Sequence, residues 1–441
     1  MSNKINNQEI AETIANSSEF LTNLIYCSEY DSYYLWDNFY FKLLDGFELR
    51  KIIHLFMAKN FPKINITESL VADIIKAVRY YINIVRETPD FSRIAFKDKN
   101  FNLETFDFEP HSKQNLAVFN FNYNSEEINS PIPVWENFLK TSLVKEETTN
   151  PDIDLIDFVQ EMFGYFILPS LKGSSAFFLV GGGSNGKSVM VKVLEQMFGK
   201  PFCSSMSVQK LTTNNWAPAH LVGKKINISN EDESKHIKPD VFKALVTGDT
   251  ISAERKFGDP FEFEPNTKFV FCTNEMPSFE GFNYGLKRRL KMIPFYRRFL
   301  DHEQDKELQE KLSKEIPGII GWAIDGAIRF TQNNRKFNEA KASMHMLTKF
   351  IEDNSSALSF FNEYYIIDNG YKTANCDVYD EYKEWCNDNG RKPLSSSNFW
   401  KEIKKEYGGK LQDAKAIRIK DGARVNGKNV VKNPEDNQLN F

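Results

Sequence analysis

The stretch that decides the fold of this 441-residue chain reads Gly181-Gly182-Gly183-Ser184-Asn185-Gly186-Lys187-Ser188. It fits Gly-x-x-x-x-Gly-Lys-Ser without a gap, follows an apolar run at 176–180, and precedes a helical pattern that begins at Val189. Glycines allow consecutive backbone N–H groups to turn inward around an anion, and the N-terminus of the following helix adds partial positive charge. Lys187 can then reach the terminal phosphates, and the Ser188 hydroxyl can bind Mg²⁺. The sequence therefore predicts that these eight residues bind a nucleoside triphosphate between a strand and a helix.

Composition excludes several other classes of protein. The chain is 41% hydrophobic, enough for several cores, and its length suggests about three domains. No apolar run is long enough to span a membrane, and the polar first twenty residues do not resemble a secretory signal. The five cysteines form no Cys-x-x-Cys pair, which indicates a reducing compartment rather than a zinc or disulfide framework. We therefore expect a cytoplasmic protein without a membrane partner.

An acidic cluster follows the next predicted strand after the glycine loop. The run 226–229 leads to Glu231 and Asp232, with Glu233 directly behind them. One carboxylate can hold the water shell of Mg²⁺, and another can orient or deprotonate the attacking water. Acidic clusters after strands are also common in solvated turns, but the position one helix downstream of the glycine loop favours the functional interpretation. Glu231 and Asp232 are the predicted metal and catalytic residues, and the choice of the water-activating carboxylate stays open.

Two further positions could contact the phosphates. Asn274 closes the predicted strand 268–273 and could hydrogen-bond the γ-phosphate, although an asparagine there is often only a turn residue. Arg288 and Arg289 precede another apolar run, and an arginine at this position could be a finger supplied in trans to a neighbour's nucleotide. A solvated basic cluster is the alternative.

A predicted hairpin lies between these motifs. Gly258-Asp259 separates two short extended runs, and the tip carries Arg255, Lys256 and Phe257. Two cations and an aromatic ring suit a phosphate backbone and a stacked base. An ordinary exposed turn is the competing interpretation.

The C-terminal region is basic although the whole chain has a net charge of −4. Residues 391–432 carry 12 basic and 4 acidic side chains. Predicted helices at 377–387 and 398–407 precede two extended runs at 416–420 and 424–431, which is a winged-helix pattern. A protein-docking wing is the alternative to a DNA-binding one. The predicted phosphate contacts are Lys401, Lys404, Lys405, Arg418, Lys420 and Arg424.

The remaining patterns set the expected domain organisation. Residues 20–85 show mostly helical periodicity, 94–123 show short strands, and 338–367 show helical periodicity again. A charged, Thr-rich linker ends at Asn150-Pro151, where a new helix is expected to begin. The expected units are a flexible arm (1–20), an N-terminal accessory domain (21–145), an ATPase domain (146–335), a winged-helix-like domain (336–432) and a disordered tail (433–441).

In their order, these motifs resemble the superfamily 3 helicases of the phage, plasmid and poxvirus primase–helicase family. The resemblance covers residues 95–330 well. It implies an α/β fold with an AAA+ P-loop core, an N-terminal mixed, mainly helical domain, and a C-terminal winged-helix domain. It also implies that Asn274 is the sensor, that Arg288 or Arg289 is the finger, and that Lys256 and Phe257 top a DNA-gripping hairpin. The matching stretches are 181–188, 221–225 before the acidic pair, 243–249, 273–277 and 288–295.

The expected activity is that of an ATP hydrolase and replicative DNA helicase of a phage, plasmid or other mobile element. The resemblance implies ATP and Mg²⁺ as cofactors, a homo-oligomeric ring, most often a hexamer, and movement along one DNA strand in the cytoplasm of a bacterial host. The expected partners are single-stranded and forked DNA, further copies of the chain, and a separate primase or polymerase, because this chain is too short for the primase domain of longer relatives. The alternative is an AAA+ initiator or loader that assembles on DNA without processive unwinding.

Overall fold

The computed structural model describes residues 6–28, 31–85, 90–171, 173–230, 237–254, 260–277, 279, 284–418 and 424–433. Its N-terminal part combines helices with two four-stranded sheets, of strand orders β3-β2-β1-β4 and β7-β6-β5-β8. The elements are α1 (Asn7–Ala15), β1 (Leu24–Cys27), β2 (Ser32–Asp37), β3 (Tyr40–Leu43), α2 (Gly46–Asn60), α3 (Glu68–Val78), β4 (Asn83–Val85), β5 (Asp90–Ala95), β6 (Asn100–Asn102), β7 (Asp107–Glu109), β8 (Ala117–Asn120) and α4 (Pro133–Ser142).

The expectation of a flexible arm over residues 1–20 is wrong, because this segment contains helix α1. The helix begins with a capping box formed by Asn6 and Glu9. Its side chains Ile10 and Ile14 are buried and belong to the same apolar cluster as residues of α3. The polar composition of the segment conceals an i, i+4 apolar pair, and one such stripe is enough to dock a short helix.

The expected mixed N-terminal domain is confirmed, but its predicted helical region 20–85 also contains strands. Within the predicted helical region 20–85, the antiparallel strands β1, β2 and β3 come before helices α2 and α3. Aromatic side chains such as Tyr34 and Phe41 are buried on these strands. Aromatic residues favour a pleated, half-buried surface, and their pairing across strands outweighs the helical spacing of their neighbours.

The central part is built on a five-stranded parallel sheet of order β10-β11-β14-β9-β15. Strands β9, β14 and β15 are buried along their whole length, which is typical of a parallel sheet that is covered on both faces. The predicted strands at 176–180 and 268–273 are confirmed. The elements are α5 (Ile153–Ile167), β9 (Ala176–Val180), α6 (Lys187–Phe198), β10 (Cys203–Ser204), α7 (Val208–Thr213), β11 (Ile226–Ser229), α8 (Pro239–Thr247), β12 (Ile251–Glu254), β13 (Pro260–Phe263), β14 (Lys268–Thr273), α9 (Tyr284–Lys287), β15 (Leu290–Pro294) and α10 (Leu308–Gln332).

Helices α5 and α10 pack closely against each other. Helix α5 begins at Ile153 rather than at 150–151, because the Asp152 side chain caps it by accepting the N–H of Leu155 at 3.2 Å. A Cβ atom on Gly164 would lie 2.1 Å from the backbone nitrogen of Ala327, so glycine is required at this crossing. None of the described helices, α10 included, combines the length and apolar character needed to cross a membrane.

The polar residue inside β11 is fully satisfied. The side-chain oxygen of Asn227 accepts hydrogen bonds from the Ser204 hydroxyl and the Met206 N–H, both at 2.9 Å. Its amide donates to the Met206 carbonyl at 2.8 Å. Buried amides are tolerated when paired in this way, and this one holds the chain after β10 against β11.

The C-terminal part has two small antiparallel sheets, β17-β19-β18 and β16-β20. The predicted helices at 377–387 and 398–407 are confirmed as α13 and α14, and Ser395 caps α14. The expected helical region 338–367 is instead two helices followed by a strand. The elements are α11 (Lys341–Asn354), α12 (Ser356–Tyr364), β16 (Tyr365–Ile367), β17 (Thr373–Ala374), α13 (Asn375–Asp388), α14 (Ser396–Tyr407), β18 (Asp413–Arg418), β19 (Arg424–Lys428) and β20 (Val430–Lys432). The winged-helix assignment stays a prediction. Of the expected tail at 433–441, Asn433 donates its N–H to the Tyr364 carbonyl at 2.8 Å, and 434–441 lie outside the described residues.

Two buried lysines join the central sheet to its surroundings. The Lys225 ammonium donates to the carbonyls of Ile167 and Leu168 at 3.0 and 3.2 Å. The Lys268 ammonium donates to the same Leu168 carbonyl at 2.6 Å. Burial, together with the neighbouring Lys225 charge, holds the pKa of Lys268 well below its ordinary value of 10.5.

Lys268→Met is expected to raise the melting temperature by a few degrees at pH 7, with the gain shrinking as the pH approaches 10.5. Burial lowers the pKa of Lys268 in the folded chain, whereas the unfolded chain keeps the proton up to about pH 10.5, so this lysine lowers stability at neutral pH and ceases to do so above its unfolded pKa. Methionine removes that cost, and Lys225 still satisfies the Leu168 carbonyl. Thermal unfolding across pH 7 to 10 measures the difference. Lys314→Met, at an exposed site on α10, is the control, and a gain that does not depend on pH would contradict the prediction.

Candidate active site

The glycine loop 181–188 follows β9 at the carboxyl edge of the central sheet and leads into α6. Gly186 is the N-cap of α6 and has a left-handed φ of 97°. A Cβ atom on Gly186 would lie 2.9 Å from Ser142 Oγ and 3.0 Å from the ring of Phe138, so the loop packs directly against α4. The backbone of the loop stays accessible at Gly182 and Gly183, which are exposed. Together with the N-terminus of α6, this loop can hold an anion through its backbone N–H groups.

Lys187 and Asn274 lie next to each other, although 87 residues separate them. Asn274 follows β14, which neighbours β9 in the sheet, and its Oδ1 atom is 3.5 Å from Lys187 Nζ. The Lys187 ammonium also donates to the carbonyl oxygens of Gly181 and Gly182, at 3.3 Å to the latter. A phosphate could replace these carbonyls as the acceptor, since its negative charge attracts the ammonium more strongly than a neutral carbonyl does.

The oxygen donors at this edge fit a magnesium ion in part. Ser188 is exposed on the first turn of α6 and presents the kind of hard oxygen ligand that Mg²⁺ prefers. Strand β11 ends at the same edge, beside β14, and leads towards Glu231, Asp232 and Glu233, which lie outside the described residues. In the described parts of the chain, no three His, Cys, Asp or Glu side chains are grouped so that they could hold a metal ion. When bound, Mg²⁺ would neutralise phosphate charge beside Ser188.

A cleft of about 730 Å³ continues from the glycine loop between α4 and the chain segment before α10. Its volume is in the range of small-molecule sites, and its lining mixes apolar and polar side chains as such sites do. The lining includes Phe138, Ser142, Ser188, Val189, Arg297 and Phe299.

Helix α4 is held over the loop by a carboxylate from α10. Glu315, which is buried, accepts the N–H of Val134 at 3.0 Å and the N–H of Trp135 at 2.8 Å. These N–H groups belong to the first turn of α4 and have no partner inside the helix, so Glu315 caps it and complements its dipole. One wall of the cleft therefore depends on a contact between residues 180 positions apart.

The other wall of the cleft is formed by Phe299. Its backbone N–H donates to the carbonyl of Ser184 in the glycine loop at 2.7 Å. The Arg297 guanidinium lies 4.6 Å from the centre of the Phe299 ring and pairs with Glu303 at 2.9 Å, so the ring is fixed in place. A planar ring beside a phosphate-binding loop can stack on the base of a nucleotide.

Two buried polar atoms beside the loop make no hydrogen bond within the described part of the chain: Ser142 Oγ and Asn185 Nδ2. Buried polar atoms normally have a partner, so these two can serve a ligand. The sequence pattern predicts Asn185 as a loop residue, whereas it does not predict that Ser142, Arg297 and Phe299 belong to the site. These three residues belong to no local motif, and only the packing of α4 and the 297–303 segment brings them to the loop.

Arg288 and Arg289 lie at the opposite edge of the sheet from the glycine loop. They precede β15, whose first residue pairs with Ala176 at the beginning of β9, whereas the loop follows the end of β9 at Val180. Five residues of a strand, at about 3.3 Å each, separate the two edges by roughly 17 Å. An arginine side chain cannot cross that distance to the phosphate loop of its own chain.

The two arginines differ in their surroundings. Arg289 is buried and donates to the carbonyl of Gly285 at 2.6 Å, and burial lowers its pKa. Arg288 is exposed. On its other side, Lys287 forms an ion pair with Glu406 of α14 at 2.9 Å. Both neighbours are therefore anchored, and Arg288 is the side chain presented to solvent.

The predicted nucleic-acid contacts lie on two surfaces. Strands β12 and β13 pair as an antiparallel hairpin, in which Ile251 pairs with Phe263 and Glu254 pairs with Pro260. The tip of the hairpin, with Arg255, Lys256 and Phe257, lies outside the described residues. In the C-terminal part, Lys420 and the side chain of Arg418 also lie outside the part of the chain that the structure describes. Lys404 is 4.0 Å from Asp413. Four of the predicted contacts in the C-terminal part are exposed: Lys401, Lys404, Lys405 and Arg424.

Two family models match separate parts of the chain. A family of unknown function, DUF5906, matches residues 179–289, from the end of β9 to Arg289. A family described as Poxvirus D5 protein-like matches residues 352–408, which include α12, α13 and α14.

Viral proteins are similar in sequence. The chain is 28% identical over 241 residues to Putative helicase L207/L206 of Acanthamoeba polyphaga mimivirus, a match that covers 52% of this chain and 24% of that protein. It is 25% identical over 276 residues to Putative helicase 121R of Invertebrate iridescent virus 3, covering 59% of this chain and 28% of that protein. The chain thus spans about a quarter of the length of these relatives.

Solved structures with the same fold come from the C-terminal region of NrS-1 in its apo form. One is 12% identical, has a TM-score of 0.54, and matches over 92% of this chain and 96% of that one. A second is 14% identical, has a TM-score of 0.51, and also matches over 92% of this chain and 96% of that one. At this identity the similarity concerns the fold. Together, the poxvirus-type family model and the viral relatives support a phage and poxvirus type of primase–helicase family for this chain, and the NrS-1 structures share its fold.

Proposed function

We propose that this chain is the motor of an ATP-dependent DNA helicase that works as a ring of identical copies. The observation that carries the proposal is the position of Arg288 and the glycine loop at opposite edges of one parallel sheet. A site that needs both can form only where the carboxyl edge of one copy meets the amino edge of the next. Repeating that head-to-tail contact generates a ring when the rotation between neighbouring copies closes.

The glycine loop would bind the triphosphate of ATP, with the nucleoside in the cleft between α4 and Phe299. Lys187 would exchange the carbonyls of Gly181 and Gly182 for phosphate oxygens, and Asn274, already 3.5 Å away, would contact the terminal phosphate or its water. Ser188, with Glu231 and Asp232, would hold Mg²⁺, which supplies charge neutralisation when bound. One carboxylate of the acidic cluster would orient or deprotonate the attacking water.

Arg288 of the neighbouring copy would stabilise the charge that develops on the transferred phosphoryl group. An arginine finger in trans makes hydrolysis dependent on assembly, because neither copy holds a complete site alone. Arg289 would hold the backbone next to Arg288 in place, since its guanidinium donates to the Gly285 carbonyl of its own chain.

Movement on DNA would arise from the β12–β13 hairpin, whose tip carries Arg255, Lys256 and Phe257. The hairpin follows α8 and precedes β14, the strand that ends at Asn274. A change at the terminal phosphate can therefore reach the hairpin through one continuous strand. The exposed cations of the C-terminal part would add a second, phosphate-directed contact to DNA.

Strand displacement on a forked DNA tests the proposed function. Wild-type protein with ATP and Mg²⁺ is expected to release the labelled strand, whereas wild type with a non-hydrolysable ATP analogue and Lys187→Ala with ATP are not. ATP-dependent assembly on the fork without displacement would instead favour an initiator or loader.

A further inference from the structure

A groove of about 560 Å³ lies beside the root of the β12–β13 hairpin, away from the nucleotide cleft. Its lining comes from the chain between β10 and β11 and from the last residue of β12. The lining includes Met206, Lys210, Trp216, Ala219, His220 and Glu254.

Trp216 is the main feature of this groove. The side chain is 52% exposed, although a tryptophan gains much from burial. Its indole N–H donates to Glu254 Oε2 at 3.1 Å, and its backbone N–H donates to Asn214 Oδ1 at 2.8 Å. The polar atom of the ring is thus satisfied, and the rest of the exposed surface is apolar.

The loop that carries Trp216 is tied to the hairpin by its backbone. The N–H of Glu254 donates to the carbonyl of Asn215 at 3.0 Å. Glu254 is the residue immediately before the tip segment that carries Arg255 and Lys256. The indole is therefore held at a fixed place beside the part of the hairpin proposed to move on DNA.

The charge around the ring suits an anionic polymer. Lys210 and His220 line the groove and are exposed. The carboxylate of Glu254 already accepts the indole N–H, which offsets part of its repulsion towards phosphate. An exposed aromatic face next to a cation is the combination with which proteins hold single-stranded nucleic acids, because every base has a face for stacking and every linkage has a charge.

We propose that this groove binds single-stranded nucleic acid, with one base stacked on Trp216 and an adjacent phosphate at Lys210. The proposal rests on the proposed function, since it extends the hairpin contact by a second, neighbouring one. A single strand fits better than a protein partner, because one indole in a groove this small offers far less area than a stable protein interface buries. The apolar lining by Met206 and Ala219 would shield the stacked base from water.

Binding of a dye-labelled oligothymidylate, measured by fluorescence anisotropy with a non-hydrolysable ATP analogue present, tests this site. Trp216→Ala is expected to weaken binding about 10-fold, whereas Trp216→Phe stays within about threefold because phenylalanine can still stack. Tyr371→Ala, which removes an aromatic side chain of similar exposure in the C-terminal part, is the control and should bind like wild type. Lys210→Ala should reduce the salt dependence of binding by about one counterion.

Intrinsic fluorescence gives a second, independent reading. Oligothymidylate should quench the tryptophan emission of wild type, and Trp216→Phe should lose that quenching while it still binds. Wild-type affinity in Trp216→Ala, or equal loss of affinity in the alanine and phenylalanine variants, would overturn the stacking role. If the wild type binds no single strand, with or without nucleotide, the proposed function fails first, and the two failures are thereby distinguished.

Discussion

Arg288→Ala is expected to lower ATP hydrolysis about 10³-fold while ATP binding stays within a few-fold of wild type. Arg288 lies roughly 17 Å from its own glycine loop, so it contributes nothing to binding within one copy. It is exposed, and its neighbours Lys287 and Arg289 are anchored to Glu406 and Gly285, so its removal should leave the fold intact. Steady-state hydrolysis and equilibrium binding of a fluorescent ATP analogue give the two quantities.

Two further arginine variants define the specificity of this effect. Arg298→Ala removes another exposed arginine close in sequence and should hydrolyse ATP like wild type. Arg289→Ala should lower the melting temperature, because it leaves the Gly285 carbonyl without its donor and opens space in a buried region. If Arg289→Ala lost hydrolysis at unchanged stability and Arg288→Ala did not, the finger would be Arg289.

Mixing subunits tests whether Arg288 acts in trans. Arg288→Ala retains Lys187, and Lys187→Ala retains Arg288, so a site is complete wherever the loop of the first variant meets the arginine of the second. Mixed assemblies are therefore expected to recover part of the hydrolysis that each variant lacks alone. Co-assembly is verified by copurification of differently tagged copies. Mixed assemblies that form but stay inactive would contradict action in trans.

Phe299→Ala is expected to weaken ATP binding about 10-fold and to leave the binding of inorganic tripolyphosphate unchanged. The Phe299 ring faces the cleft, while its contact with the loop is made by its backbone N–H, which alanine keeps. Loss of a stacking surface costs affinity only for a ligand that carries a base. Lys187→Ala, in contrast, should weaken both ligands about 100-fold, because it removes a charged donor to the phosphates.

Calorimetric titration of both ligands into each variant separates the base contact from the phosphate contact. Leu300→Ala is the matched control, since Leu300 is adjacent and 57% exposed and does not line the cleft. Equal weakening of ATP and tripolyphosphate by Phe299→Ala would mean that the ring supports the loop itself. No effect on either ligand would place the nucleoside elsewhere.

Local sequence predicted the elements whose signal is continuous in the chain. The glycine loop, β9, α6 and β14 lie where their apolar runs and turn residues indicate, because each is specified by neighbours within one or two turns of chain. The misassigned elements are short ones that depend on distant partners. Helix α1 is held by α3, and strands β1 to β3 are held by one another, so a window of single-sequence periodicity does not contain the interactions that stabilise them.

The candidate site likewise combines residues that the local sequence predicts with residues that only the packing brings together. The residues that would contact phosphate and Mg²⁺, Lys187 and Ser188, follow from an eight-residue stretch, since the glycine backbone, the lysine and the hydroxyl are contiguous in the chain. Phe299 and Ser142, which line the cleft, carry no such signal. Their place depends on Glu315 capping α4 and on the Phe299 backbone bonding to Ser184.

By itself, the sequence determined that this chain has a glycine loop between a strand and a helix, with an asparagine and two arginines downstream. Only the tertiary structure decided which edge of the sheet each of them occupies. Strand order and direction are set by long-range pairing: β14 beside β9 brings Asn274 to Lys187, and β15 parallel to β9 carries Arg288 to the far edge. Because a strand is too long for a side chain to span, Arg288 could reach a glycine loop only in another copy of the chain.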